Sequence, residues 1–180
     1  SIIGAVEKER NYGHSKNLFL SDVITSIDQF NKDAYLYFAT IERSQTSFAP
    51  KTFIAFSPYD VLNKKKTLNL AKGDLIKIYT NKEIGLIINK LNEKNIVPTP
   101  DLEILNSENN TSTAGSLNEL IKSLIVSVEG EVASPGSKLI AGTYSLQKTI
   151  EIFGGFTKRA NKKDIYISSP KILDENIILD

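Results

Sequence analysis

Along Val126 to Arg159 the hydrophobic and polar positions change period, and the change predicts a hairpin followed by a short helix. Val126, Val128 and Val132 alternate with Ser127, Glu129 and Glu131, the period of a half-buried strand. Gly130 sits inside that alternation, where a glycine predicts a bend in a strand that continues. Ser134-Pro135-Gly136-Ser137 supplies a turn, Pro135 presetting φ and Gly136 free to take a positive value. Leu139 and Ile140 return the chain, Gly142 turns it again, and Leu146, Ile150 and Phe153 then follow helical spacing from a start near Ser145. Gly154-Gly155 is the expected helix stop.

The same pattern opens the chain. Residues 1–43 superpose without a gap on residues 127–169 at an offset of 126, which places Gly4 on Gly130, Val6 on Val132, Leu20 on Leu146, Ile24 on Ile150, Phe30 on Phe156, Ala34 on Ala160 and Ile41 on Ile167. Matches at strand, helix-core and post-helix positions indicate two copies of one supersecondary unit. In the first copy the pattern predicts a strand over Ser1–Val6, a polar return over Glu7–Lys16, and a helix with Val23, Ile24, Ile27 and Phe30 on its apolar face. A strand over Asp33–Arg43 follows, with Tyr35, Tyr37, Ala39 and Ile41 on one side and Phe38 and Thr40 on the other. Phe53–Phe56 reads as a strand, Pro58–Leu62 as a helical turn, Lys64–Lys66 as a solvated turn, and Leu68–Tyr79 as a closing strand entered through a Gly73-Asp74 turn.

The middle of the chain differs. Ile84, Ile87, Ile88 and Leu91 predict an amphipathic helix over Asn81–Lys94, and Pro98 and Pro100 an extended segment. Asn106–Ser116 has the composition of a mobile loop, and Leu117–Leu124 resumes helical spacing. The fold class is therefore α+β, with a unit over residues 1–80, a helical connector with a loop over 81–125, and a second unit over 126–180 that stops short of an equivalent of the Gly73-Asp74 segment.

The run V-x-G-x-V-x-x-P-G, a short helix, then G-G-x-x-x-x-A resembles the soluble-ligand-binding β-grasp (SLBB) domain of outer-membrane polysaccharide export proteins. Ala34-Tyr35-Leu36, Ile41-Glu42-Arg43 and Leu68 through Gly73-Asp74 to Ile78 are similar to that family's A-Y-L, I-x-R and L-x-x-G-D-x-I-x-I segments. The resemblance covers the two ends and leaves out the middle. The first copy departs from it where Lys8, Glu9 and Arg10 replace the Pro-Gly turn and Asp28-Gln29 replaces Gly-Gly, so its hairpin and helix end are expected to differ. The resemblance implies two β-grasp-like units and a periplasmic, outer-membrane-associated protein of capsular or exopolysaccharide export. It further implies a conduit or scaffold, a homo-oligomeric ring in the full-length protein, and polysaccharide and an inner-membrane polysaccharide co-polymerase as partners. The alternative is a ligand-binding β-grasp accessory module of a larger enzyme or receptor.

Composition adds bounds. A net charge of +1 gives no global drive toward nucleic acid, and no nucleic-acid partner is expected. The absence of cysteine removes disulfides, thiol nucleophiles and cysteine-ligated metals. No apolar run reaches the roughly 18 residues of a membrane helix, no signal peptide is visible, and the Ser1 start reads as a fragment of a longer protein. His14 has no ligand or base partner at a useful spacing and reads as a turn residue. Ser134 and Ser137 lack a nucleophile elbow, and Gly154-Gly155 ends a helix instead of opening one, the wrong polarity for phosphate. No catalytic, cofactor-binding or metal-binding residues are expected, and the chain reads as no enzyme. Tyr35, Tyr37 and Arg43 in the first copy, and Lys158, Arg159 and Tyr166 in the second, are the candidate interface or sugar contacts, since aromatic faces and guanidinium forks suit both. Core packing of the tyrosine rings is the competing reading, and solvation that of the cluster Lys158, Arg159, Lys162 and Lys163.

Overall fold

The computed structural model describes residues 1–13, 15, 17–44, 50–63, 68–92, 111–169 and 172–177. His14, Lys64–Lys66, Pro98, Pro100 and residues 106–110, each assigned a role from sequence, lie outside them. The chain is α+β and divides into two compact units, Ser1–Val126 with Lys138–Gly142 and Ser127–Ser137 with Thr143–Asp180.

The first unit is built on a four-stranded mixed sheet. In chain order it contains β1 (Ile2–Gly4), α1 (Leu20–Val23), β2 (Ala34–Arg43), β3 (Thr52–Phe56), α2 (Pro58–Leu62), β4 (Leu75–Thr80), α3 (Asn81–Asn92) and α4 (Thr111–Lys122). The strand order is β1-β4-β2-β3, with β1 parallel to β4 and β2 antiparallel to both its neighbours. A single antiparallel bridge from Ile2 to Arg10 continues the sheet past β1.

The expected helix through Phe30 is one turn, followed by a 3₁₀ turn at Ile27–Gln29, and Ile27 is 51% exposed instead of lying on an apolar face. The β-branched run Val23-Ile24-Thr25 continues a helix poorly, and Ser26 takes a cap position where its hydroxyl accepts from the Asp28 N–H at 3.2 Å. Gln29 plugs the break. Its Oε1 accepts from the N–H groups of Thr25 and Ser26 at 2.7 and 2.9 Å, and its Nε2 donates to the Val23 carbonyl at 2.9 Å.

β2 corrects the face assignment. Ala34 and Leu36 pack with Ala39 and Ile41, whereas Tyr35 and Tyr37 pack with Phe38. The register of β2 against β4 shifts between Ala34 and Ala39, and a one-residue shift moves every following side chain to the other face. One face of the sheet thus buries Ile41, Ile76 and Ile78 beneath Leu20, Val23, Ile24 and Phe30. The other buries Tyr35, Phe38 and Tyr79 beneath Ile84, Ile87 and Ile88 of α3 and Ile121 of α4. Each of these isoleucines contributes about 2 kcal/mol by leaving water, so α3 and α4 cover this face of the sheet. α4 also begins at Thr111, inside the segment whose composition reads as a loop.

β5 (Ile125–Val128) and β6 (Gly136–Leu139) pair as a ribbon whose residues are shared between the units. The β5 ladder stops at Val128 instead of bending through Gly130, which has φ +87°. The second unit continues with α5 (Leu146–Ile152), capped by the Ser145 hydroxyl, and with β7 (Ile165–Ser169) antiparallel to β8 (Ile172–Ile177). Gly154 and Gly155 take φ +86° and +82°, and their N–H groups bond to the carbonyls of Glu151 and Ile150, ending the helix as its sequence predicts.

The two copies share a hydrogen-bond frame as well as a pattern. In the first, Val6 N–H donates to Gly4, Glu7 to Gln29, Asn31 to Ala5 and Ala34 to Asn31; in the second, Val132 donates to Gly130, Ala133 to Gly155, Thr157 to Glu131 and Ala160 to Thr157. Each donor and acceptor is displaced by the same offset of 126. The bridges Val6 to Phe30 and Val132 to Phe156 obey it too, as do the positive φ values of Gly4 and Gly130.

Candidate functional site

Of the three first-unit candidates, Tyr35 is buried and Tyr37 and Arg43 are half-buried. Tyr35 is 6% exposed, and its hydroxyl donates to the Leu139 carbonyl at 2.8 Å, so it is a core residue whose polar tip is satisfied. Tyr37 is half-buried, edge-on to Tyr35 with ring centroids 6.0 Å apart and 5.6 Å from the Tyr59 ring. Arg43 closes a bidentate pair with Asp74, Nε to Oδ1 at 2.9 Å and a terminal nitrogen to Oδ2 at 2.7 Å, and donates also to the Asn69 carbonyl at 3.0 Å. The Asp74 side chain is only 3% exposed and accepts from the Ala71 N–H at 2.8 Å. That hydrogen-bonded partner raises the Arg43 pKa above its ordinary value, against burial, which lowers it. Arg43 therefore fastens the end of β2 to the Gly73-Asp74 turn through two of its guanidinium nitrogens. Sequence reasoning singled out Arg43 and Asp74 separately; what it lacked was the pairing of β2 with β4 that brings them together.

The second-unit candidates lie on the surface. Lys158 and Arg159 are exposed, Tyr166 is 72% exposed, and Lys162 places Nζ 5.7 Å from the centre of the Phe156 ring. The loop that carries Lys158, Arg159 and Lys162 is pinned by the Thr157 hydroxyl, which donates to Glu131 at 2.6 Å and accepts from the Arg159 N–H at 3.3 Å.

Sequence reasoning missed a cleft in the first unit. It encloses about 150 Å³, with Ile2, Val6 and Tyr12 as apolar lining and Glu7, Arg10 and Asp28 among its charged residues. Its signal was present in the departure of Lys8-Glu9-Arg10 and Asp28-Gln29 from the Pro-Gly and Gly-Gly of the second copy. Outside this cleft, Asp60 of α2 buries Oδ1 without a hydrogen-bond partner among the described residues. Among the described residues no group of three or more His, Asp or Glu side chains is placed to hold a metal ion, and no helix is long and apolar enough to cross a membrane.

Tyr79 joins the sheet to α3. Its hydroxyl lies 3.1 Å from the Thr40 hydroxyl, both buried, and its ring lies 4.8 Å from Lys77 Nζ. Burial pushes the phenol pKa up; the Thr40 hydrogen bond opposes this, and Glu83 and Glu42 add to it. With the folded pKa above the unfolded value of about 10, the stability this group contributes is complete below that pH and is lost as pH rises through the folded pKa. Tyr79→Phe should cost about 1 kcal/mol near neutrality through the lost hydrogen bond. Denaturant titrations should show the gap to wild type narrowing above about pH 10, and a constant gap would refute the assignment.

Comparison of the chain with family models, with curated proteins and with solved structures found no match.

Proposed function

We propose that the chain is a non-catalytic tandem module of a polysaccharide export apparatus, periplasmic and associated with the outer membrane, acting as conduit or scaffold. The observation that carries this reading is the shared backbone frame of the two copies at the offset of 126, because the residues that build it are those that resemble the SLBB pattern. Support also comes from the first unit's topology. A mixed sheet of order β1-β4-β2-β3, with its parallel pair formed by the first and last strands, a helix between the first two and the Ile2–Arg10 bridge on the outer side of β1, is compatible with a β-grasp arrangement.

In this reading the second unit supplies contact residues for a homo-oligomeric ring, through exposed Lys158, Arg159 and Tyr166, while Tyr35 and Arg43 maintain the first. Head-to-tail contacts of this kind close into rings. Polysaccharide and an inner-membrane co-polymerase are the partners it implies. The cleft in the first unit favours a second reading, a ligand-binding accessory module, which does not exclude assembly.

Deletion of the gene in its host, followed by complementation, tests the proposal. Deletion should abolish surface polysaccharide, wild type should restore it, and Lys158→Glu with Arg159→Glu should restore it poorly. The same double substitution should shift the stability of the purified chain by less than about 1 kcal/mol, as exposed positions do. Unchanged surface polysaccharide in the deletion strain sinks the export reading, and full complementation by the double variant removes these two residues from it.

A further inference from the structure

The two copies differ in how their hairpin meets the end of the helix. In the second unit the hairpin is shut against that end. Ser134 N–H donates to the Phe153 carbonyl at 2.9 Å, and a side chain at Gly154 would come within 2.9 Å of the Ala133 Cβ. Only glycine allows that approach, since contacts under 3.0 Å force something to move. At the offset of 126, Gly154 becomes Asp28, Ala133 becomes Glu7 and Ser134 becomes Lys8. The bond from Glu7 N–H to the Gln29 carbonyl survives, but among the described residues no bond joins Lys8 N–H to the Ile27 carbonyl. The hairpin of the first unit thus lacks one of the bonds that fasten the second, and the cleft opens at that position.

Its chemistry is divided. Ile2 and Val6 are buried apolar residues and Tyr12 is half-buried, while Glu7, Lys8 and Arg10 carry exposed charged side chains with no hydrogen-bond or ion-pair partner among the described residues. Asp28 engages the Ser26 hydroxyl through Oδ2, which leaves Oδ1 available. The Gln29 side chain is consumed by the helix break, so it serves as wall and not as ligand. A ligand suited to this lining presents a C–H face to the apolar residues and several hydroxyls to carboxylates and a guanidinium.

We propose that this cleft is a binding site for a single sugar residue, with the ring laid on Ile2, Val6 and Tyr12 and hydroxyls taken by Glu7, Arg10 and Asp28. Aromatic and aliphatic faces paired with planar charged groups recognise both sides of such a ring. The choice of a sugar over another hydroxylated ring rests on the export reading; the existence of the cleft does not. In the second unit the Gly154–Ala133 approach and the Ser134–Phe153 bond close this position.

The test is an amide NMR titration of the purified chain with methyl glucoside, galactoside, mannoside and glucuronide. At least one should produce saturable shifts confined to residues near Ile2–Tyr12 and Ser26–Phe30, with a dissociation constant on the order of millimolar, as expected for so small a contact. Glu7→Ala with Arg10→Ala, both exposed, should leave the rest of the spectrum in place and weaken that binding at least about tenfold, a loss of about 1.4 kcal/mol. Absence of localised shifts with all four glycosides overturns the site, as does binding that persists in the double variant. Either result leaves the scaffold reading standing, because that reading is decided by surface polysaccharide in the deletion strain.

Discussion

Gly4→Ala should prevent the first unit from folding, while Gly130→Ala, the same substitution at the equivalent position, should leave the second unit folded. Both glycines have left-handed φ, +92° and +87°, and each precedes the tight turn in which the residue two positions on donates back to it. Forcing alanine into that conformation costs about 1–2 kcal/mol in either unit. The difference lies in what the new methyl group meets. At Gly4 an added Cβ would lie 2.1 Å from the Ile78 carbonyl oxygen, which accepts the Ala5 N–H that ties this turn to β4, whereas at Gly130 it would meet nothing within 4 Å. A backbone atom in the middle of a sheet cannot step aside as a side-chain end can, so relief requires β1 to leave β4. We expect Gly4→Ala to lose more than about 4 kcal/mol, the range reserved for disruptive core changes, and Gly130→Ala to lose about 1–2 kcal/mol. Hydrogen exchange followed unit by unit reads the two effects separately, and equal protection in both variants would remove β1–β4 pairing as the cause.

That contrast also marks how far the fold was legible from the sequence. Gly4 and Gly130 were recognisable as one position because glycine, valine and phenylalanine recur around them at a fixed offset, but the sequence predicted only a bend at Gly130, and the positive φ of both is a finding of the structure. The surroundings did not follow, because β1 and β4 are separated by most of the first unit and strand pairing of that range leaves no local signature. Tyr35 and Tyr37 show the same limit at shorter range. Alternation placed them with Ala39 and Ile41, and a bulge between Ala34 and Ala39, invisible in a run of well-suited strand residues, moved them to the other face. Ile27 was misplaced because helical spacing ran through Ser26, whose capping hydroxyl ends one turn and begins another. The helix over residues 81–92 was readable from its isoleucines, but the partner of its apolar face was not; the sequence placed that stripe in a helical connector and carried no local sign of the sheet it covers. Of the candidate contacts, Lys158, Arg159 and Tyr166 proved exposed and Tyr35 did not, since a tyrosine in a strand looks alike whether its ring covers a core or a partner.

Arg43 carries the second large effect. The Arg43 side chain is 29% exposed, but that of its partner Asp74 is 3% exposed, so removing the arginine leaves a carboxylate buried with the Ala71 N–H as its remaining hydrogen-bond donor among the described residues. Breaking a pair from that side costs several kcal/mol, because the surviving charge has lost its partner without regaining water. Partial exposure of the arginine moderates this, and Arg43→Ala should destabilise the first unit by about 3 kcal/mol, lowering its melting temperature on the order of 10 °C. Arg43→Lys should recover only part of the loss, since an ammonium cannot span both Asp74 oxygens and the Asn69 carbonyl as the fork does. Asp74→Asn separates charge from geometry: it keeps an acceptor for Ala71 while removing the counter-charge, and should fall between wild type and Arg43→Ala. Arg43→Glu should be worse than alanine, because it sets two carboxylates against each other. Thermal unfolding of the four variants, read by the circular dichroism of the purified chain, should give that order. A melting temperature for Arg43→Glu within about 2 °C of wild type, where a solvated surface position would leave it, would return Arg43 to the surface.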